Sequence, residues 1–235
     1  MLARLRAMGE DEFAALPYGS EGLWQKVMSG VHSGLENQSF PTPAGLSEVN
    51  YCLDSGLLAH FRTIADNVDK PIILYNVPSR TGCNLLPATC AALADHPRIA
   101  AVKEASGNIS QVAKIAQLCG DELNIYSGND DQVVPLLSLG GKGVISVVSN
   151  VKPELVHNCC KAWFEGDTKT ACKLQLEILP LADALFCEVN PIPVKYAMNV
   201  LGWEAGPCRL PLVEPSDAHK EKIEQALEAE GLIRE

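Results

Sequence analysis

Short apolar runs alternate with stretches of helical spacing between Lys70 and Phe164. The runs are built from Ile, Val, Leu and Ala without regular polar alternation, which is typical of strands buried on both faces. Buried strands that alternate with helices predict a parallel sheet, either doubly wound or closed as a (β/α)8 barrel. The predicted strands are PIILYN (71–76), IAAVK (99–103), LNIYSG (123–128) and GVISVVS (143–149).

Helical segments with start and stop signals separate these strands and follow them. Asn108 is a candidate N-cap, Gly120 a candidate C-terminal stop, and Pro153 a candidate first-turn residue. No further strand pattern follows Asp167. Helices are predicted at 56–68, 86–96, 108–120, 131–141, 153–166, 168–186, 190–201 and 215–231.

The order of these elements predicts an α/β fold with a C-terminal helical domain, and it leaves the doubly wound sheet and the (β/α)8 barrel both open. Only four βα units are evident where a closed barrel needs eight, so a barrel would be incomplete, with its last four units clear. Residues 56–166 are predicted to form this half-barrel and 167–235 the helical domain. Residues 1–55 stay unassigned because they contain no convincing buried strand, and we expect 1–50 to add few or no strands to the sheet.

Composition excludes several classes of partner. The formal net charge is −10 and the pI is near 5.0, so nucleic acid and an anionic membrane surface are not expected partners. The nine cysteines include no C-x-x-C pair, and the N-terminal residues do not resemble a signal peptide. A reduced, cytoplasmic protein is therefore predicted. No metal-ligand spacing appears, and we expect neither a metal nor a cofactor.

One lysine stands at the end of an apolar strand, where an ammonium group is unfavourable. Lys103 follows the run IAAV, and Tyr75 ends the preceding strand. A desolvated lysine amine can attack a carbonyl group and form a Schiff base, and a nearby phenol can transfer protons. From the residues alone, non-catalytic alternatives stay open for both side chains. Lys103 could extend to solvent or pair with Glu104, and Tyr75 could be a packing residue.

Two further features lie next to predicted strands, one after the first strand and one at the start of the fourth. Arg80, in SRTG, has a planar guanidinium that suits a carboxylate, although a surface arginine is an equal alternative. The run GGKGVISVVSN is glycine-rich, but the residues of a Walker-type phosphate loop do not follow it. Its small residues can let the backbone approach a ligand closely.

The motifs YNVPSRTG, VKEASGN, YSGND and GGKGVISVVSN, in this order, resemble the dihydrodipicolinate synthase (4-hydroxy-tetrahydrodipicolinate synthase) family. The resemblance runs from about Gly56 to the C-terminus. N-acetylneuraminate lyase is a relative, but Arg80 and Glu104 favour the synthase. The resemblance implies a (β/α)8 barrel and a class I aldolase-type lyase, cytoplasmic and homo-oligomeric, in lysine and diaminopimelate biosynthesis.

The resemblance also implies roles for single residues. Lys103 would form a Schiff base with pyruvate, and Tyr75 would relay protons. Arg80 would receive the carboxylate of the second substrate, aspartate semialdehyde. Gly143 and Ile145 would contact substrate, with Ile145 touching pyruvate through its backbone.

The chain also departs from the family pattern. A glycine-threonine-threonine-glycine-glutamate motif, which supplies a relay threonine and contacts to the pyruvate carboxylate, has no counterpart in the sequence. A second relay tyrosine cannot be assigned. We therefore expect an aberrant or truncated N-terminal part and impaired activity. The alternatives are a non-catalytic remnant of the family, or a related pyruvate-dependent aldolase such as N-acetylneuraminate lyase.

Overall fold

The structure, a computed structural model, describes residues 48–233. The prediction for residues 1–50 therefore lies almost wholly outside the described residues. Most predicted helices and strands are present within two or three residues of their expected bounds. In chain order the elements are α1 (Glu48–Asp66), β1 (Ile72–Asn76), α2 (Pro78–Thr81), α3 (Pro87–Ala94), β2 (Ile99–Glu104), α4 (Ile109–Cys119), β3 (Asn124–Ser127), α5 (Val133–Leu137), β4 (Gly143–Val144), α6 (Pro153–Phe164), α7 (Thr168–Leu185), α8 (Ile192–Val200) and α9 (Asp217–Ala229).

The four strands form one parallel sheet in the order β1-β2-β3-β4, which confirms the predicted topology. Short helical crossovers between sequential strands leave little alternative to this order. The pairing aligns equivalent residues of each strand in rows across the sheet. One row contains Leu74, Val102 and Ile125, the next Tyr75, Lys103, Tyr126 and Gly143, and the third Asn76, Glu104, Ser127 and Val144.

Successive rows face opposite sides of the sheet because side chains alternate along a strand. The row of Leu74, Val102 and Ile125 packs in one hydrophobic cluster with Leu93 of α3 and Ile115 of α4. On the other face Ile73 and Tyr75 are 49% and 47% exposed. The expectation that the strands are buried on both faces is thus wrong for β1, because the helices α3 and α4 cover only one side of it.

The hydrogen-bond ladder continues one residue past each strand. The carbonyl of Asn76 accepts from the N–H of Ala105 at 2.8 Å, and the carbonyl of Glu104 accepts from Gly128 at 2.7 Å. The carbonyl of Ser127 accepts in the same way from Ile145 at 2.8 Å. The carboxyl ends of the strands are therefore held level, and the residues that follow them share one edge of the sheet.

The fourth strand is shorter than predicted, since the expected run 143–149 pairs only at Gly143 and Val144. A 3₁₀ turn at Val148–Asn150 follows it. The carboxylate of Asp130 accepts from the N–H groups of Val147 at 2.9 Å and Val148 at 3.3 Å. Because a side chain satisfies these donors, the apolar run leaves the ladder.

Helices α7, α8 and α9 pack with α6 in a second hydrophobic cluster. Cys159 and Ala162 of α6 share it with Ile178 of α7, Ala197 of α8 and Ile223 of α9. The division of the chain at residue 167 stays a prediction. No helix of the described residues is long and apolar enough to cross a membrane.

Two apolar residues of α4 make a matched test of this packing. Ile115 is fully buried, whereas Leu118 on the same helix is 54% exposed. We expect Ile115→Ala to lower the free energy of unfolding by about 2–5 kcal/mol, because it leaves a cavity against the sheet. Leu118→Ala should change it by about 0.5 kcal/mol or less. Urea unfolding followed by circular dichroism measures both, and equal losses would contradict the assignment of the buried face.

Candidate active site

Lys103 and Tyr75 meet on the exposed face of the sheet, at its carboxyl edge. They are register partners on β2 and β1, and the Lys103 Nζ atom lies 4.3 Å from the centre of the Tyr75 ring. This is the range of a cation–π contact. Neither side chain forms a hydrogen bond or an ion pair with another residue in the described part of the chain. The lysine amine is thus located beside a phenol and is not bound to another polar group.

Lys103 and Glu104 do not pair, contrary to one alternative for this lysine. Glu104 follows Lys103 on β2 and therefore faces the opposite, helix-covered side, where it is 3% exposed. Its carboxylate accepts from the side chains of Asn76 at 2.9 Å and Gln111 at 3.2 Å and from the N–H of Ser106 at 2.6 Å. The strand alternation separates the amine from the acid beside it in sequence.

A second phenol lies in the same row and was missed from the sequence. Tyr126 of β3 is the register partner of Lys103, and it lies half-buried beside it. The run LNIYSG could have indicated this tyrosine. Tyr126 is the second-last residue of its strand, as Tyr75 and Lys103 are of theirs. Together the three residues give the exposed face a row of two phenols and one amine.

Two glycines allow this row to pack closely. A Cβ on Gly128 would lie 2.6 Å from the Cβ of Ala105 and 3.1 Å from the Cε of Lys103. Gly143 has φ +147 and faces the ring of Tyr126, which a Cβ would approach to 3.6 Å. The loop after β3 thus runs directly against the stem of Lys103, which only a residue without a side chain permits.

The structure places Arg80 at the same edge of the sheet, where its guanidinium contacts a backbone carbonyl instead of the expected carboxylate. Arg80 lies in α2, directly after the β1 end that carries Tyr75, and its side chain is exposed. Its Nη1 donates to the carbonyl of Asn190 at 2.8 Å. One side of the guanidinium is therefore occupied by backbone, and a ligand carboxylate would have to use the remaining donors or displace this contact.

The predicted backbone contacts at β4 are partly occupied as well. The N–H of Ile145 donates to the carbonyl of Ser127, so only the Ile145 carbonyl remains for a ligand. Its side chain is exposed at the edge of the sheet. Gly143 lies in the row of Lys103, two positions from it across the sheet.

An acidic cleft lies beyond the end of β3, lined by Asp130, Asp131 and Asp183 together with Phe186. Burial raises the pKa of the Asp131 carboxyl, and the negative charges of Asp130 and Asp183 act in the same direction. Such a cleft disfavours an anion. Across the described ranges no cluster of three or more His, Cys, Asp or Glu residues is arranged to hold a metal ion.

The arrangement suits covalent chemistry on a carbonyl compound. At the edge of the sheet an amine has no polar partner among the described side chains, a phenol lies against it, and an arginine lies in the short helix that follows β1. Amine attack on a carbonyl needs a positioned nitrogen and a proton-transfer group, and both are present.

Comparisons with known proteins show which family the chain resembles. Residues 50–230 match the model of the "Dihydrodipicolinate synthetase family". The 4-hydroxy-tetrahydrodipicolinate synthase 1 of Clostridium acetobutylicum is 54% identical over 185 residues, which are 79% of this chain and 63% of that protein. The chain thus spans less than two thirds of the length of this curated relative.

Solved structures give the same result. The dihydrodipicolinate synthase of Thermotoga maritima superposes with a TM-score of 0.74 at 40% identity, over 77% of this chain and 62% of that one. The chloride-inhibited synthase of Acinetobacter baumannii, complexed with pyruvate, superposes with a TM-score of 0.74 at 36% identity, over 77% and 62%. Both neighbours are barrel enzymes, and the four-stranded sheet of this chain corresponds to part of such a barrel. From its matched residues and these identities, the chain belongs to the dihydrodipicolinate synthetase family.

Proposed function

We propose that this chain carries the Schiff-base chemistry of a 4-hydroxy-tetrahydrodipicolinate synthase, with pyruvate as the first substrate and aspartate semialdehyde as the second. One observation carries the proposal: the Lys103 amine lies against the Tyr75 ring at the carboxyl edge of the sheet, without a polar partner among the described side chains. The pyruvate complex of the Acinetobacter baumannii relative supports the choice of the first substrate.

In this proposal the neutral amine of Lys103 attacks the keto carbon of pyruvate. The carbonyl oxygen takes up a proton and the nitrogen loses one, which gives a carbinolamine. Loss of water then leaves the imine. The Tyr75 phenol would donate and accept these protons, since its hydroxyl has no hydrogen-bond partner in residues 54–233. A proton then moves from the methyl carbon to the imine nitrogen, which forms the enamine that attacks the aldehyde.

The second substrate would use Arg80. Its guanidinium is exposed and offers donors besides the one on the Asn190 carbonyl, so it can bind the carboxylate of aspartate semialdehyde. Gly143 and the Ile145 carbonyl would border the bound pyruvate. These residue roles rest on the resemblance and on their common position at the sheet edge.

The other candidate is a family member that has lost catalysis. The sequence lacks the family's threonine motif, to which the resemblance assigns the pyruvate carboxylate contacts. Each lost charge-assisted hydrogen bond costs about 1.5–3 kcal/mol, or roughly 10–100-fold in binding. We therefore expect slow trapping of pyruvate and condensation turnover far below that of a relative that carries the motif.

A cytoplasmic location and a homo-oligomeric state belong to the same proposal. The eight cysteines between Cys83 and Cys208 are all free, which fits a reducing compartment. Large apolar side chains, among them Trp203 and Leu210, are exposed and available to a second copy.

Replacement of the amine tests the proposal directly. We expect borohydride to fix pyruvate to Lys103, and Lys103→Ala to abolish this because no other group supplies the nitrogen. Peptide mass mapping identifies the modified residue. Lys142→Ala is the matched control, since Lys142 is exposed and stands at the start of β4. Absence of any adduct in folded wild-type protein would favour the non-catalytic alternative, and an adduct at another lysine would refute the assignment.

Loss of the phenol hydroxyl should slow the reaction without removing the nucleophile. We expect Tyr75→Phe to reduce the rate of pyruvate trapping by about 10²–10⁴, the usual contribution of a positioned proton-transfer group. The ring remains, so packing against Lys103 is kept. Quenched time courses with borohydride give the rate, and Tyr126→Phe distinguishes the two phenols of the row. An unchanged rate in Tyr75→Phe would remove Tyr75 from the mechanism.

A single methyl group at Gly128 should disturb the lysine. Gly128→Ala places a Cβ against Ala105 and the Cε of Lys103, so the loop or the lysine must move. We expect a loss of about 1–3 kcal/mol in the free energy of unfolding and at least about 10-fold slower trapping. Gly56→Ala is the control, because a Cβ at Gly56 meets nothing within 4 Å. Equal trapping rates in the two variants would show that the close approach is not required.

A further inference from the structure

A polar network lies behind the candidate site, on the helix-covered face of the sheet. It joins four segments of the chain: the ends of β1 and β2, the residues before α3, and the first turn of α4. Four side chains form it, and three of them are buried while Asn84 is partly buried. The members are Asn76, Asn84, Glu104 and Gln111.

Backbone N–H groups and the side chain of Asn84 fix the direction of the hydrogen bonds that Glu104 accepts. The Oδ1 of Asn76 accepts from the N–H of Leu85 at 2.8 Å, which turns its Nδ2 towards Glu104. The Oε1 of Gln111 accepts from Asn84 at 2.8 Å, which turns its Nε2 towards Glu104. The N–H of Ser106 can only donate.

Glu104 therefore meets donors on every side. Its Oε2 accepts from Asn76 and Gln111, and its Oε1 accepts from Ser106. Both oxygens must accept, which an ionised carboxylate does and an amide cannot. No lysine, arginine or histidine of residues 54–233 forms an ion pair with it. A buried charge held by neutral donors alone is costly to desolvate, so a fully satisfied network is needed to retain it.

The network acts at the residues that adjoin the candidate site. Asn76 directly follows Tyr75, and Glu104 directly follows Lys103. Their hydrogen bond, at 2.9 Å, is the one side-chain to side-chain bond between β1 and β2 among the described residues. It joins the two strand ends on the helix-covered face, behind the phenol and the amine.

We infer that Glu104 is a positioning residue: from behind the sheet, its carboxylate holds the ends of β1 and β2 so that the Tyr75 ring lies against the Lys103 amine. The inference rests on the proposed function for its catalytic meaning, but its geometric part is independent of pyruvate. Glu104→Gln keeps the size of the side chain and places an NH₂ group against at least one donor. If the NH₂ group faces Ser106, the strand end or the loop after it must move. If it faces the other side, Asn76 and Gln111 must both flip, which breaks the bonds of their oxygens to Leu85 and Asn84.

The test combines a geometric and a chemical measurement on the same variants. In protein labelled with ¹³C at the lysine ε-carbon, the ring of Tyr75 should shift the Lys103 ε-methylene resonance upfield, with Tyr75→Leu as the reference without a ring. We expect Glu104→Gln to lose at least half of this shift. Its rate of pyruvate trapping should fall about 10–100-fold at each pH from 6 to 9, the usual effect of a misplaced reacting group.

A matched variant separates positioning from a general loss of stability. Thr89→Val removes another buried hydrogen bond of the same helical layer, from Thr89 to Asp54 at 2.8 Å. It should melt at a lower temperature than wild type and yet keep the ring-current shift and the trapping rate. If Glu104→Gln does not fold, Gln111→Leu removes one donor and should change both readouts in the same direction by a smaller amount.

Each result decides one question. A wild-type ring-current shift in Glu104→Gln, or in Gln111→Leu where that variant replaces it, would overturn the inference. Equal losses in Thr89→Val would also overturn it, since they would show an effect of stability alone. If wild-type protein forms no pyruvate adduct while Glu104→Gln still loses the ring-current shift, the proposed function fails and the positioning role stands.

Discussion

The register of the parallel hydrogen-bond ladder is the constraint on which the rest of the molecule depends. It aligns equivalent positions of consecutive strands, so that a row of apolar side chains faces the helices and the next row faces away. The same ladder extends past the strands through Ala105, Gly128 and Ile145, which brings the following loops to one edge. The face that each side chain takes and the edge at which the loops meet therefore depend on the same backbone bonds.

Much of this fold could be predicted because its signals are local. Continuous apolar runs, a capping residue such as Asn108 and closing glycines mark the elements, and the side chain of Asn108 does accept from the N–H of Gln111. Strand order follows from the short helical connections. Lys103 and Tyr75 were found from their position at strand ends, and their proximity follows from the spacing of neighbouring strands.

What could not be predicted depends on contacts between distant segments. The end of β4 is decided by the Asp130 carboxylate, which no pattern in GVISVVS reveals. The partners of Glu104 could not be predicted from the sequence, which suggested only the neighbouring Lys103, whereas the carboxylate accepts from the distant amide of Asn76. Tyr126 was overlooked because its strand was considered without its register to β2.

The alternation of faces at the strand ends also limits how this sheet can change in length. Tyr75 and Lys103 face one way, and Asn76 and Glu104 the other. A deletion of one residue within β2 would exchange the two faces of everything that follows in the strand. It would turn the amine of Lys103 towards the helical layer and the carboxylate of Glu104 towards the opposite face, so the candidate site would lose its amine although both residues remained in the chain. Loops such as 67–71 can absorb insertions and deletions, whereas a change of one residue in β2 would reverse the sign of the charge at this edge.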